Sequence, residues 1–278
     1  MNQRGFTGQG TDQYCIDRWK IVGTGTVIPQ FTTAHALAVS SGTVLQQRME
    51  IIPAALLGKS AVFAYENVDI SGVNTYTVPI TFPYTEPTAA GTKTYITATC
   101  EDLGIEIGIM YEADVMLCGE EYNTVPYITI TNNSNSALRI RRVWLELGNV
   151  CHMKSTPPLD YASNLMICQR YYYNTDGMRW CPGDTGASNK NPRFTYAIPV
   201  SLRTTPTVAP SYNTFYAMTS RASLTISNPS ISRIVYNNNT AFINVYLDTL
   251  STALTVADSS KQYIVCFVQA CLEISADL

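Results

Sequence analysis

Apolar and polar residues alternate over much of the chain with the two-residue period of β-strands. Residues 142–147 are the clearest case, because three aliphatic side chains there alternate with an arginine, a tryptophan and a glutamate. Residues 194–200 repeat the pattern, with an apolar residue at every even position. Residues 61–66 are apolar at nearly every position, which is typical of a strand buried on both faces.

Turn signals separate the strand-like segments. Gly58 follows a leucine pair and predicts a tight turn with a positive φ angle. Asn237-Asn238-Asn239 lies between two strand-like segments and predicts a hairpin loop. Further candidate strands are 76–78, 95–99, 105–111, 115–117, 127–131, 138–147, 231–236, 241–247 and 263–274. Many short strands at this spacing predict an all-β fold of two β-sandwich, jelly-roll-like modules.

A proline break and a short helix lie between the modules. Thr156-Pro157-Pro158 cannot continue a sheet interior, because proline lacks the N–H group that the strand ladder requires. The residues that follow show helical spacing, and Asp160 is the predicted N-cap. The predicted apolar face of the helix consists of Tyr161, Leu165, Cys168 and Tyr172.

These features divide the chain into four parts. The predicted parts are an N-terminal arm at 1–12, a jelly-roll domain at 13–153, a linker with a short helix at 154–170 and a C-terminal β-sandwich domain at 171–278.

The linker region resembles a known family. Leu-Glu-Leu-Gly at 145–148, the proline break, and Leu-x-x-Cys-Gln-Arg-Tyr-Tyr at 165–172 resemble the hinge of phage tail-fibre and virion appendage proteins. Asp17-Arg18-Trp19 and the Arg-x-x-Pro-Thr-Val segment at 203–208 are similar to other parts of that family. The resemblance implies a carbohydrate-binding-module-like jelly roll, a β-rich tip domain that adheres to a bacterial surface polysaccharide, and a homotrimer.

Composition narrows the class of protein. The chain has 278 residues, of which 46% are hydrophobic and 14% charged, and it contains 18 tyrosines. Sparse charge with abundant Thr, Asn, Ser and Tyr favours a β-rich extracellular or virion protein. The net charge is −3 without a basic block, so nucleic acid is not the expected partner. No apolar segment is long enough to span a bilayer, and no secretion signal begins the chain, so we expect a protein made and assembled in a cytosol, or a fragment placed there. The resemblance implies that it becomes part of a virion assembled in the host cytoplasm.

The eight cysteines contain no Cys-x-x-Cys pair. Cys266 and Cys271 lie on one predicted strand an odd number of residues apart, so they face opposite sides and cannot bridge. We interpret the cysteines as small, buried, reduced side chains. The alternative is a zinc site from Cys151, His152, Cys168 and Cys181, whose spacing matches no usual pattern. No metal or other cofactor is therefore expected.

The sequence offers little for catalysis. Neither of its two histidines, His35 and His152, lies near a Gly-x-Ser-x-Gly motif. The acidic pairs Glu101-Asp102 and Glu120-Glu121 are sequence neighbours, whose side chains diverge on a strand instead of facing each other across a cleft. Gly23-x-Gly25 lacks the helix that a dinucleotide site requires. We therefore expect no enzyme and no catalytic residues.

Sugar binding requires aromatic ring faces and neutral polar groups, and the C-terminal module is rich in both. The predicted ligand-binding residues are Trp180, Tyr212, Tyr216, Tyr236 and Arg221. Arg221 and Arg233 are candidates for pairing with anionic sugars. The alternatives are that these aromatics pack in a core or a subunit interface, and that the arginines are solvated edge charges.

Three hypotheses follow. The first is a non-enzymatic phage virion appendage, a tail fibre or receptor-binding protein, whose partners are a surface glycan and other virion proteins. The second is a structural virion component, such as a head fibre, decoration or baseplate protein, whose aromatics make subunit contacts. The third is a degradative enzyme that carries a carbohydrate-binding module, which requires a cleft with paired carboxylates.

Overall fold

The chain folds into two compact units, Met1–Tyr161 and Ala162–Leu278. The computed structural model describes residues 6, 8–16, 18–30, 35–117, 120–157, 161–174, 179–184, 193–200, 202, 206–211, 214–218, 223–227, 229–236, 242–247, 265–270 and 272–275. The division between the units falls within the predicted linker at 154–170. Antiparallel sheets build both units, so the predicted all-β, two-sandwich-like fold is confirmed.

The first unit contains two sheets. Its described strands are β1 (Gly8–Thr11), β2 (Tyr14–Ile16), β3 (Trp19–Val22), β4 (Thr24–Gln30), β5 (Ala36–Val39), β6 (Val44–Arg48), β7 (Ser60–Asp69), β8 (Gly72–Thr81), β9 (Lys93–Cys100), β10 (Leu103–Leu117), β11 (Glu120–Asn132) and β12 (Leu138–Leu147). One sheet has the order β1-β4-β5-β12-β7-β8 and the other β2-β3-β6-β11-β10-β9. A short 3-10 helix, Pro53–Ala55, follows β6.

The core of the first unit draws on both sheets. Phe63 and Tyr65 of β7 and Ile105 and Ile107 of β10 are buried in one apolar cluster. The predicted burial of 61–66 on both faces is confirmed.

Three local features bear on the sequence predictions. The segments predicted as separate strands at 105–111 and 115–117 form one strand, β10, with an irregularity between Tyr111 and Val115 that keeps both parts paired with β11. Gly8–Thr11, assigned from the sequence to an arm, pairs with β4 through backbone hydrogen bonds that need no apolar side chains. Gly58 has φ +66°, which confirms the predicted turn.

The second unit contains a three-stranded and a seven-stranded sheet among its described residues. The helix α1 (Tyr161–Gln169) precedes β13 (Tyr172–Asn174), β14 (Arg179–Asp184), β15 (Arg193–Ala197), β16 (Thr207–Pro210), β17 (Thr214–Met218), β18 (Ser223–Ser227), β19 (Ile231–Tyr236), β20 (Phe242–Leu247), β21 (Val265–Ala270) and β22 (Leu272–Ser275). The sheet orders are β13-β22-β16 and β18-β17-β21-β14-β15-β20-β19. Residues of both sheets share one apolar cluster, in which Phe194 meets Phe215 edge to face.

Other predictions in the second unit have mixed outcomes. The predicted helix is confirmed at Tyr161–Gln169, and its N-cap Asp160 lies outside the described residues. Tyr172, predicted on the apolar face of the helix, instead begins β13. The hairpin predicted around 237–239 is confirmed by the antiparallel pairing of β19 with β20, while the three asparagines themselves lie outside the described residues. The prediction of one strand over 263–274 is wrong, because the chain passes from one sheet to the other and forms β21 and β22. Cys271 lies outside the described residues.

Cysteine burial follows the prediction for most of the thiols that the structure describes. Cys15, Cys100, Cys168 and Cys181 are free and buried, and Cys151 is half-buried. Burial raises the pKa of the Cys100 thiol to about 11, which keeps it protonated and unreactive near neutral pH. Among the described residues, no helix combines the length and the hydropathy needed to cross a membrane.

Candidate functional site

The seven-stranded sheet of the second unit has one face in the core and one facing outward. On β15, Phe194 and Tyr196 are buried in the core, so Arg193 and Thr195 point outward. The outward residues of β14, β15, β19 and β20 form a surface that we call the tip face. The tip face comprises Trp180, Asp184, Arg193, Thr195, Arg233, Phe242, Asn244 and Tyr246.

A row of four paired residues crosses the tip face. The strand register places Asp184 opposite Arg193, Arg193 opposite Tyr246, and Tyr246 opposite Arg233. Arg193 Nε lies 2.5 Å from Asp184 Oδ1, and the Tyr246 side chain on the other flanking strand also contributes to the raised pKa of this guanidinium. The guanidinium carbon of Arg233 lies 5.6 Å from the centroid of the Tyr246 ring. Hydrogen bonding to Asp184 raises the pKa of Arg193, so this arginine stays charged.

Neutral polar groups occupy the next row. Thr195 donates a hydrogen bond from Oγ1 to Asn244 Oδ1 over 2.8 Å. The bond fixes the orientation of the amide and leaves the two N–H groups of Asn244 directed away from Thr195. Amide donors of this kind recognise uncharged hydroxyl groups.

Trp180 lies on β14 with 48% of its surface exposed. The backbone register places Trp180 opposite Gln269 of β21, and Gln269 opposite Tyr216 of β17. Two of the residues predicted from sequence therefore occupy one cross-strand row of the same sheet. Phe242 is the first residue of β20, four positions before Tyr246, and 52% of its surface is exposed.

The remaining predicted residues are placed differently. Tyr236 points to the core side, where its hydroxyl accepts a hydrogen bond from Leu202 N at 2.6 Å and lies 3.3 Å from Leu202 O. Burial raises the pKa of Tyr236, and the ring packs against the apolar cluster of the second unit. Tyr212 and Arg221 lie outside the described residues.

Several tip-face residues were not predicted from the sequence. Arg193 and Thr195 take the odd positions of the alternation at 193–197, whose even positions are buried. Asn244 and Tyr246 occupy the corresponding positions on β20. This alternation, applied to polar residues as well as apolar ones, is the signal that identifies them.

The first unit also has a polar outward face, on the sheet that contains β6, β10 and β11. Arg48 Nε lies 2.6 Å from Glu112 Oε2, and Arg48 donates to the Tyr14 hydroxyl at 2.6 Å. Glu106 Oε1 accepts from Lys93 Nζ at 2.5 Å and from the Tyr127 hydroxyl at 2.7 Å. Arg48 and Lys93 of this face are thus each paired with a carboxylate, whereas Arg233 on the tip face has no ion pair among the described residues.

Groups suited to chemistry are scattered. Within the described residues, no three His, Cys, Asp or Glu side chains gather where they could hold a metal ion. Glu101 and Asp102 are exposed in the turn between β9 and β10. His152 Nδ1 lies 2.5 Å from Glu146 Oε1 in a contact that holds the chain after β12. The tip face thus offers ring stacking, hydrogen bonding and ion pairing.

Comparisons with known proteins add little. No protein-family model matches the chain, and no curated protein matches it. A solved structure, the N-terminal CBM22-1-CBM22-2 tandem domain from Paenibacillus barcinonensis Xyn10C, is similar at 8% sequence identity with a TM-score of 0.21. The similarity covers 98% of this chain and 99% of that one. A TM-score of this size supports neither a shared fold nor a shared function.

Proposed function

We propose that the protein is a non-enzymatic adhesin that binds a bacterial surface glycan through the tip face. The row Asp184–Arg193–Tyr246–Arg233, on the same face as the exposed Trp180, is the observation that carries the proposal. The tip face as a whole thus combines an indole, two guanidinium groups and neutral hydrogen-bonding groups on the strands of one sheet. Sites on strands hold their side chains more precisely than sites on loops.

The residue types fit the chemistry of a sugar. A pyranose ring has an apolar face of C–H groups, which packs on an aromatic ring such as that of Trp180, and a rim of hydroxyl groups that donate and accept hydrogen bonds. Asn244 offers amide donors for these hydroxyl groups. Tyr246 is held between two arginines, so its position is fixed before a ligand arrives.

The charges favour an acidic glycan. Asp184 pairs with Arg193, while Arg233 has no carboxylate within ion-pair distance among the described residues. Two guanidinium groups and one carboxylate leave a net positive charge on the row. A guanidinium has five N–H donors in a planar fork that matches a carboxylate, so a uronic or other acidic sugar suits Arg233.

The place of the protein on a phage particle is part of the same proposal. It rests on the resemblance of the hinge at 145–172 to that of tail-fibre and receptor-binding proteins, and the homotrimer is what this resemblance implies. Three copies on one fibre, and several fibres on one particle, raise the overall avidity, so each tip face can bind its sugar weakly.

A structural virion role is the second candidate. Trp180 and Phe242 are each about half exposed on the same face of one sheet, and exposed aromatics also favour subunit contacts. This alternative predicts that removing the two rings dissociates an oligomer without affecting glycan binding. Light scattering of the purified protein and its variants measures that outcome.

A glycan array tests the adhesin proposal. The full chain and its Trp180→Ala variant are applied to acidic and neutral bacterial glycans, with Tyr95→Ala as a matched control, because Tyr95 of the first unit is equally exposed at 48%. We expect acidic glycans to retain the wild type and Tyr95→Ala but not Trp180→Ala. Equal retention of all three proteins, or no retention of the wild type, would contradict the proposal.

A further inference from the structure

The strand β8 is an open edge of the first unit. It ends the sheet β1-β4-β5-β12-β7-β8, and with ten residues it is the longest edge strand that the structure describes. Proteins commonly protect such edges by keeping them short, charged or bulged. β8 contains no charged residue, and its register with β7 runs without a bulge from Asp69–Gly72 to Ser60–Thr81. The edge therefore lacks all three protections.

The hairpin with β7 determines which backbone groups of β8 face outward. The loop at 70–71 has two residues, so the pair that flanks it is hydrogen-bonded, as is every second pair beyond it. The N–H and C=O groups of Val73, Thr75 and Thr77 therefore point away from β7. The described part of the chain provides no other hydrogen-bond partner for them.

Two interruptions bound this open stretch. Asp69 Oδ1 accepts a hydrogen bond from Ser71 N at 2.7 Å, so the N–H group of Ser71 is already bound within the turn. At the other end, the backbone of Pro79 faces away from β7 as that of Thr77 does, and proline has no N–H group. Ser71 and Pro79 are each four positions from Thr75, so the open stretch is symmetric about Thr75.

This symmetry fits a second copy of the same strand. When two β8 strands lie antiparallel with Thr75 opposite Thr75, Val73 of each lies opposite Thr77 of the other, and their outward N–H and C=O groups bond to one another. Pro79 of each copy then lies opposite Ser71 of the other, where neither residue has a free N–H group. Because β8 is uncharged, this pairing places no like charges opposite each other.

Ile70 adds an apolar contact to the pairing. It is fully exposed at the tip of the hairpin. The Asp69 carboxylate holds this turn in place, because it accepts hydrogen bonds from Ser71 Oγ at 2.6 Å and from Asn74 Nδ2 at 2.7 Å. In the same register Ile70 comes to the level of residues 79–81 of the second copy, so the pairing covers an apolar side chain that a single chain leaves in water.

We infer that β8 pairs with β8 of a second copy of this chain about a two-fold axis at Thr75, so that two six-stranded sheets become one continuous sheet. The interface uses the same residues on both copies. Its affinity comes from main-chain hydrogen bonds, as in other cases of strand addition. The contact goes beyond glycan adhesion, and it differs from the homotrimer proposed above, because a two-fold axis relates chains in pairs.

Sedimentation equilibrium of the full chain tests this inference. Thr75→Lys places two ammonium groups opposite each other at the axis, and Thr75→Glu places two carboxylates there. We expect each substitution to raise the dissociation constant of the pair at least about tenfold, because like charges repel across the axis. At the same micromolar concentration the wild type should then have about twice the molar mass of either variant, or more. Circular dichroism should show that both variants stay folded, since Tyr76 and Val78 take the core side and residue 75 the outer side.

An equal mixture of the two variants tests the register itself. In a mixed pair the ammonium group of one chain lies opposite the carboxylate of the other, so mixing Thr75→Lys with Thr75→Glu should restore the molar mass of the wild type. This rescue requires residue 75 to meet residue 75. Thr11→Lys is the matched control, because Thr11 is exposed on β1, the opposite edge strand of the same sheet. It should sediment like the wild type.

Three results would overturn the inference. One is a wild type with the same molar mass as Thr75→Lys at every concentration, which would leave this edge to a strand of another protein. The others are an equal effect of Thr75→Lys and Thr11→Lys, and a mixture that does not regain the molar mass of the wild type. None of them affects the adhesin proposal, because that proposal is tested by the retention of Trp180→Ala on acidic glycans.

Discussion

Asp184 and Arg193 face each other across β14 and β15, with Arg193 Nε 2.5 Å from Asp184 Oδ1. The strand register also places Tyr246 opposite Arg193, so the arginine on β15 lies between residues of the two flanking strands on the outward side of the sheet. Side chains held in this way lose little conformational freedom when a ligand binds. The pair therefore organises the tip face in advance.

Removing the indole of Trp180 is expected to weaken glycan binding. Aromatic anchors at binding surfaces commonly contribute about 2 kcal/mol or more, so Trp180→Ala should raise the Kd at least about tenfold. Biolayer interferometry on an immobilised acidic glycan measures this change. Tyr95→Ala should leave the Kd unchanged, and a loss of the same size in both variants would argue against a role of the tip face.

Arg233 is expected to give the binding its dependence on salt. Arg233→Gln removes the guanidinium that lies over Tyr246, so the affinity for an acidic glycan should fall several-fold at low salt and little at high salt, where screening already weakens the wild type. Titrations at low and high sodium chloride measure the difference. Arg139→Gln, at an exposed position on β12, is the control. An unchanged salt dependence in Arg233→Gln would contradict an ionic contact.

Glu146 is expected to hold the chain after β12 in a manner that depends on pH. Its carboxylate accepts hydrogen bonds from His152 N at 2.8 Å and from Trp144 Nε1 at 3.0 Å. The bond from the His152 backbone is the largest cause that lowers the pKa of Glu146 to about 2. Because this pKa is lower in the folded state, the stabilisation is complete above the ordinary pKa near 4.5 and is lost as the pH falls toward 2.

The variant Glu146→Gln tests this anchor. At pH 6 its melting temperature should lie below that of the wild type, and the difference should shrink as the pH falls from 4.5 to 2. Thermal unfolding followed by circular dichroism at pH 6, 4 and 2 measures it. A difference that stays constant over this range would show that the ionised carboxylate is not the stabilising group.

Asn132 is expected to be the most important single polar residue of the first unit. It is buried, its Nδ2 donates to Val39 O and Ser136 O at 2.8 Å each, and its Oδ1 accepts from Ser134 N at 2.9 Å. Asn132→Ala removes these three hydrogen bonds, of which the one to the buried Val39 carbonyl is the most shielded from water, so we expect a loss of about 2–4 kcal/mol in the free energy of unfolding. Urea titration measures the loss.

The control for Asn132→Ala is Asn135→Ala, because Asn135 is an exposed asparagine in the turn between β11 and β12. It should change the free energy of unfolding by less than about 0.5 kcal/mol. Equal effects of the two substitutions would show that composition of the turn, and not the buried hydrogen bonds, determines stability.

Local patterns predicted the strands well, because alternation reports directly on burial. Within 142–147, Val143 and Leu145 pack against the core as the alternation predicts, whereas Leu147 at the end of β12 is exposed. Tyr236 shows where alternation fails. Ile231 and Tyr236 are an odd number of residues apart, yet both pack against the core, because the register shifts between Ile231 and Arg233 and reverses the faces beyond that point.

The residues of the candidate site were harder to predict from the sequence than the strands were, for a related reason. Trp180 was predicted as a binding residue from its residue type alone. Arg193, Tyr246 and Arg233 come together only through the pairing of β15, β20 and β19, which spans about 50 residues along the chain. Such pairings are selected by burial of the opposite face, which a local pattern does not specify.

Hydrogen–deuterium exchange of the full chain with and without a retained acidic glycan tests the role of the tip face most directly. We predict that the glycan slows exchange in β14, β15 and β20 of the wild type and has no such effect in Trp180→Ala. Slowed exchange confined to the first unit, or none in either protein at a saturating glycan concentration, would contradict glycan adhesion through this face.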